Sequence, residues 1–352
     1  MNTEARMTLF SFLSYYDLSN PIISKLQKNV LKILSSMKDE LSFSQVAWGP
    51  AAHKGGGIFS DSLVYSVKHS DTENEYTIVF RGTNPLSLST WIFQDFDVSG
   101  LIPWTRESPN AATTSAYISK SADKSLKIHK NIISNRLCLR DWIFEKVSSS
   151  KKKAVLNFCG HSLGGMICSA FALYIHDELS AKKLRNKSEI NVYAFAAPTA
   201  GNVHYAEYMN NALKGKFNSF ANPIDIATLV WTEKNMISVL PAVYGKIKMD
   251  LITKTAYSSL CNKVKGLGYC QPGNISIIDS QVNTNLIFKN YIFQAAYQHI
   301  FPYLIEANEK MSDNCSRILT EIIKSVFLPY GPDIFGKKLD KKMESEIDKL
   351  LR

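Results

Sequence analysis

Apolar residues recur at helical spacing over 22–37 (Ile22, Ile23, Leu26, Val30, Ile33, Leu34), behind the helix-starting dipeptide Asn20-Pro21. After a glycine loop at Lys54-Gly-Gly-Gly57, two extended runs, Leu63–Lys68 and Tyr76–Arg81, are joined by a polar turn and predict an antiparallel hairpin. Between Leu126 and Val147 the apolar positions Leu126, Ile132, Ile133, Leu137, Trp142 and Ile143 alternate with basic residues, which predicts one amphipathic helix. The segment Ala154–Cys159 is too short and too uniformly apolar for a surface element and predicts a strand buried on both faces. Helical spacing returns at Ile167, Ala170, Phe171 and Tyr174, and further apolar runs follow at 190–195, 217–222 and 274–279. Strands alternating with helices predict an α/β fold with a mainly parallel central sheet flanked by helices, one domain over residues 1–330. Beyond residue 331 the chain becomes highly charged. Leu339, Met343, Ile347, Leu350 and Leu351 then mark an amphipathic C-terminal helix, 331–352, packed on the domain surface or lying on a membrane.

A chain of 352 residues can bury about three quarters of its unfolded surface, and 45% hydrophobic with 20% charged residues excludes general disorder. The formal net charge of +10 favours polyanionic partners. Nucleic acid is disfavoured, because no binding signature appears and the lysines are dispersed. The tightest group, Lys151-Lys152-Lys153, suits a solvated helix end. Six cysteines form no metal-ligand spacing; Cys159 and Cys168 sit in apolar surroundings, and a bridge between Cys261 and Cys270 is open. The N-terminus lacks the pattern of a secretory signal peptide, and no apolar run reaches the 18 residues of a membrane span. The expectation is a soluble protein, cytoplasmic or exported by a signal-independent route, that meets membranes from outside.

The predicted strand at 154–159 runs into Gly160-His161-Ser162-Leu163-Gly164-Gly165 and then into a predicted helix. A serine hydroxyl is a poor nucleophile unless a base takes its proton and the backbone presents it freely. A G-x-S-x-G turn between strand and helix does the presenting, since a Cβ at either glycine would collide with the adjoining elements. The same turn aims the N–H of Leu163 at the place where a substrate oxyanion would form. In this architecture an acid and then a histidine follow the serine in the chain. Asp225 lies just past an apolar run, whereas Asp279 comes later and Asp177 sits on the helix after the elbow, facing away. His176 and His204 precede Asp225, so His299 is the sole histidine in the required order. The catalytic set expected is Ser162, Asp225 and His299.

Several blocks in this order resemble the class 3 lipases, the fungal-type α/β-hydrolases. Tyr76–Asn84 is similar to that family's strand ending in F-R-G-[ST], and Thr90–Asp95 to its W-x-x-D element. Gly160–Gly165 reads G-H-S-L-G-G without a change, and Tyr193–Asn202 resembles F-x-x-P-x-x-G-N. Asn222-Pro-Ile-Asp225 and Tyr297-Gln-His299 resemble the segments that carry the acid and the base. The resemblance implies a second oxyanion donor at Thr83, and a lid after the F-R-G-T strand in which Leu86, Leu88, Trp91 and Phe93 would meet substrate. Three blocks depart from the family: Ile128–Ile132 lacks the glycine of H-x-G-F, Gln271-Pro-Gly273 replaces H-V-G, and Ile226–Val230 replaces V-P-x-x-P.

Together these features imply a serine hydrolase that cleaves carboxylic esters of lipids, a phospholipase A or a glycerolipid lipase, at a membrane or micelle interface. It would need no metal and no organic cofactor. The alternatives are a soluble short-chain or plant-wall esterase and a hydrolase-shaped interaction protein without turnover.

Overall fold

The computed structural model describes residues 1–18, 20–54, 62–83, 97–308, 311–327, 345 and 347–349. Among these, the main sheet contains β1 (Phe43–His53), β2 (Ser62–His69), β3 (Glu75–Phe80), β4 (Ala154–His161), β5 (Ser188–Phe195), β6 (Phe217–Ala221) and β7 (Asn274–Ile277). They lie side by side in chain order. The first three pair antiparallel, so the predicted hairpin is present as β2 and β3. From β3 to β7 every pairing is parallel, and each link must cross from one end of the sheet to the other.

Period-two alternation sends neighbouring residues to opposite faces, and both faces are covered. Tyr65, Val67, Val79, Cys159 and Phe195 join a core with helices α1 (Thr3–Leu13) and α2 (Ile23–Ser36). Val64, Ile78, Phe80, Phe158 and Ala194 join another with α3 (Lys120–Asn131), α4 (Leu139–Ser149), α5 (Leu163–Ala181) and α6 (Val203–Ala212). A further helix, α7 (Leu251–Val264), adds Leu260 and Val264 to that second core. The first face is completed by α8 (Tyr291–Asn308) and α9 (Asp313–Phe327). Near the C-terminus Ile347 is buried, and Asp348 pairs with Lys324 of α9 at 2.7 Å. The rest of the expected stripe, Leu339, Met343, Leu350 and Leu351, lies outside the described residues.

The single helix expected over 126–147 is instead two, α3 and α4, separated by the small ribbon Ile133–Ser134 and Leu137–Cys138. Asn135 and Arg136 break it, with φ of 50° and 68°. Two successive left-handed residues are what a two-residue hairpin turn needs, and a helix cannot absorb them. All six cysteines are free, Cys261 and Cys270 included. Cys159 and Cys168 are buried, as their apolar surroundings predict.

Three histidines are packed into this frame. His69 bonds Thr77 Oγ1 at 2.7 Å, His129 donates to the Ser125 carbonyl at 2.8 Å, and His161 sits at the end of β4. Burial disfavours the imidazolium at all three and pushes His129 down to about 4. An unfolded histidine takes up its proton near pH 6.5, so the unfolded chain binds more protons than the folded one below that value. Stability is therefore full above about pH 6.5 and falls as the solution is acidified, with His129 alone contributing roughly 3 kcal/mol of the loss. Urea unfolding midpoints at about pH 7.5 and pH 4.5 should show that drop. His129→Gln, which keeps a donor and removes the titration, should make it smaller; an identical drop in the variant would assign the loss elsewhere.

Candidate active site

β4 ends at His161 and α5 begins at Leu163, so a single residue, Ser162, makes the corner between strand and helix. Its φ of 62° and ψ of −131° are strained for a residue with a side chain. The corner persists because surrounding backbone leaves no other path. A Cβ on Gly160 would lie 2.4 Å from the Gly164 carbonyl, and one on Gly164 would lie 2.1 Å from the Phe80 oxygen. Gly82, just past β3, is pressed against the same corner, where a Cβ would meet the His161 oxygen at 2.5 Å and Ser162 Cβ at 3.0 Å. The glycines around Ser162 are thus places where three backbone segments touch. The Ser162 N–H donates to the Phe195 carbonyl at 2.9 Å, and its own carbonyl accepts from Gly165 and Met166 at 2.9 and 3.2 Å. Leu163 opens α5, where the first N–H groups have no partner within the helix and carry its positive pole.

His299 is on α8. Its Nδ1 lies 2.9 and 3.1 Å from the two carboxylate oxygens of Asp225, so that nitrogen carries the proton and donates it. Asp225 caps the short helix Ile226–Leu229 and accepts the Ala227 N–H at 2.9 Å. The Tyr303 hydroxyl donates a further 2.9 Å bond to Asp225 and itself accepts the Asn222 N–H at 3.0 Å. Asn222 in turn donates to the carbonyl and the side-chain oxygen of Gln298 at 2.9 and 2.8 Å. The carboxylate is fully buried yet has three donors, which is how an ionised acid survives inside a protein.

Two polar atoms in this region have no such satisfaction. Ser162 Oγ and His299 Nε2 are both buried and, among the described residues, neither has a hydrogen-bond partner. Between their residues sits His161. Its Nε2 lies 2.7 Å from the His299 carbonyl, its Nδ1 lies 3.0 Å from the Tyr15 hydroxyl, and its ring centre is 4.6 Å from that of His299. Burial, and next the neighbouring His299, hold the His161 pKa well below the histidine range, so the ring is neutral. A neutral ring protonated on Nε2 donates to the His299 backbone and accepts from Tyr15.

The expected residues fall as follows. Asp225 and His299 are in direct contact, and Ser162 adjoins His161, which touches His299. Thr83 is half-buried next to Gly82, and Leu163 is half-buried at the start of α5. Leu86, Leu88, Trp91 and Phe93 lie outside the described residues, as does the expected lid. Asp177 is bonded elsewhere, accepting from Trp104, Ser108 and Tyr208 at 3.0, 2.7 and 2.6 Å, while Asp279 is exposed. His161, Tyr303, Asn222, Gln298 and Tyr15 were not singled out from sequence. Tyr303 had a signal, being four residues past His299 and so on the same helix face. Tyr15 had none. Among the described residues no group of three or more side chains is arranged to hold a metal ion.

The family model of the class 3 lipases matches residues 77–234. That segment is less than half of the chain, and over it the chain resembles the class 3 lipases. A search of curated sequences gives no match. Among solved structures, M37 lipase is similar at 27% identity with a TM-score of 0.78, covering 91% of this chain and 99% of that one. Nonglycosylated Yarrowia lipolytica LIP2 lipase covers 79% of this chain and 78% of its own at 14% identity and a TM-score of 0.48. The native Rhizomucor miehei lipase propeptide complex gives 84%, 77%, 14% and 0.48 for the same quantities. The fold is that of an α/β-hydrolase, and the chain is a carboxylic ester hydrolase of lipids, a lipase.

The glycine contacts of the lipase elbow can be checked directly. Gly164→Ala forces a Cβ onto the Phe80 carbonyl, a backbone atom that cannot swing aside, and is expected to destabilise by several kcal/mol. Gly215→Ala, at φ +70° in open space, should cost only about 1–2 kcal/mol. Denaturant unfolding of both variants gives the comparison, and equal losses would refute the steric account.

Proposed function

We propose that Ser162 is the nucleophile, His299 the general base and then acid, and Asp225 the group that orients and supports the imidazole. One observation carries this reading: a serine hydroxyl and an Nε2, both buried and, among the described residues, unbonded, belong to residues joined through His161, while the opposite ring nitrogen is fixed by a carboxylate. With Nδ1 protonated toward Asp225, Nε2 keeps its lone pair, the form a base needs. As Ser162 Oγ bonds to the ester carbonyl carbon, its proton passes to Nε2 and the carbonyl electrons move onto oxygen. The N–H groups of Leu163 and Thr83, with the Thr83 hydroxyl, stabilise that oxyanion; one donor of this kind contributes roughly 3 kcal/mol. Collapse expels the alcohol, which takes the proton from Nε2 and leaves an acyl-serine. Water then loses a proton to Nε2 and attacks the acyl carbon, and as the fatty acid leaves Nε2 passes that proton to Ser162 Oγ and restores the hydroxyl. No step calls for a metal or cofactor. The formal charge of +10 favours phospholipids in an anionic surface over neutral triglyceride.

The test is to assay wild type, Ser162→Ala, Asp225→Asn and His299→Ala on phospholipid vesicles and on a triglyceride emulsion, identifying the products. Each variant should lose roughly a thousandfold or more in kcat while remaining folded, and Asp279→Asn should keep its activity. Full turnover by Ser162→Ala would end the proposal. Faster hydrolysis of triglyceride than of anionic phospholipid would overturn the substrate preference alone.

A further inference from the structure

After Asp225 and its short helix the chain makes a long excursion, through Glu233–Ser238 and α7, before returning to begin β7. Because β6 and β7 are parallel, this excursion leaves from the carboxyl end of the sheet, the end that also carries the Ser162 corner. Its inner side is anchored. Met236, Leu240, Tyr244 and Leu260 belong to the core, the Tyr257 hydroxyl donates to the Met236 carbonyl, and the Tyr244 ring packs on Tyr291, where α8 begins.

Its outer side is apolar where solvent should favour polar groups. Leu251 and Ile252, adjacent at the start of α7, are 80% and 77% exposed, and Ile237 on the preceding helix is 60% exposed. The first two are the most exposed of the large hydrophobic residues described. Single exposed aliphatics are ordinary, but neighbouring ones on elements that pack together form a patch. The excursion is also basic: residues 231–266 hold six lysines against two acids. Lys234, Lys248 and Lys254 are exposed and, among the described residues, in no ion pair. Asp250, one of the two acids, is engaged at 2.7 Å with the Thr253 N–H.

We propose that this outer face, centred on Leu251, Ile252 and Ile237, docks on an anionic phospholipid surface. It rests on the reading above that the lipase works at an interface, and adds where the protein meets it. Aliphatic tips enter the acyl boundary while unpaired lysines lie at the level of the head-group phosphates. Charge complementarity selects this occupant over a second copy of the chain, which would bring lysines against lysines.

Flotation of the full chain with vesicles tests it without needing turnover, so failure of the catalytic reading leaves the result interpretable. Wild type should float with phosphatidylcholine vesicles containing phosphatidylglycerol, and much less with phosphatidylcholine alone or in 1 M salt. Leu251→Ser/Ile252→Ser should lower the partition coefficient roughly tenfold or more, because two apolar side chains are lost from the bound state. Hydrolysis of a dissolved short-chain ester should stay at the wild-type rate. Lys234→Ala/Lys248→Ala/Lys254→Ala should weaken binding to the anionic vesicles only. Undiminished flotation of either variant overturns the proposal, and so does sedimentation showing that wild type is a dimer which the double serine variant splits.

Discussion

The contact of backbone with backbone around Ser162 is the constraint from which the site follows. Three segments, the end of β3, the end of β4 and the first turn of α5, approach so closely that Gly82, Gly160 and Gly164 have no room for a Cβ. That approach holds Ser162 in a conformation its side chain disfavours, at a cost of order 1–3 kcal/mol offset by the surrounding packing. The return is positional. A hydroxyl on an ordinary helix or strand would lie along a packed face, whereas here it stands at the junction, next to the positive end of a helix of 19 residues.

Electrostatics completes what sterics begins. Asp225 is buried as an ion because three donors reach it, from His299, Tyr303 and Ala227. His161 is buried as a neutral ring because burial, and next the neighbouring His299, disfavour its charged form; its nitrogens face the Tyr15 hydroxyl and the His299 carbonyl. Two histidines with ring centres 4.6 Å apart thus have different roles set by their neighbours. One is oriented by an anion, while the other is kept uncharged and fixes its neighbour's backbone. A second positive ring beside His299 would oppose the imidazolium that the proposed mechanism needs.

Much of this was legible in the sequence where a local pattern maps onto a single element. The amphipathic stripe of α2, the hairpin of β2 and β3, and the apolar run of β4 ahead of the glycines all carry period signals, and all are present. The elements that escaped lack such signals. Residues 5 and 7–13 of α1 are buried on every side, which erases the 3.6-residue period. Strand β1 includes Gly49 and Pro50 and shifts register three times against β2, so neither alternation nor propensity reveals it. The break between α3 and α4 hid because Ile132, Ile133 and Leu137 happen to continue a helical stripe, although Ile133 is in fact exposed. Likewise Ser162, Asp225 and His299 could be chosen by order along the chain, but Tyr15 could not. Its contact with His161 spans 146 positions and depends on how α1 lies beneath the sheet.

That distant tyrosine shows how the two faces of the sheet are coupled at the site. The hydroxyl of Tyr15 comes from the α1 side, where it touches the His161 ring at 3.0 Å and the space that a Gly82 side chain would fill. Gly82 precedes Thr83, and His161 precedes Ser162, so one hydroxyl adjoins both the loop assigned to the oxyanion and the corner assigned to the nucleophile. Burial raises the Tyr15 pKa well above the usual tyrosine range, which keeps it a neutral donor at neutral pH. The N-terminal helix is therefore not an appendage to the sheet. The turn just past it supplies the polar atom that joins the two loops from beneath, so shifting α1 would disturb both loops together.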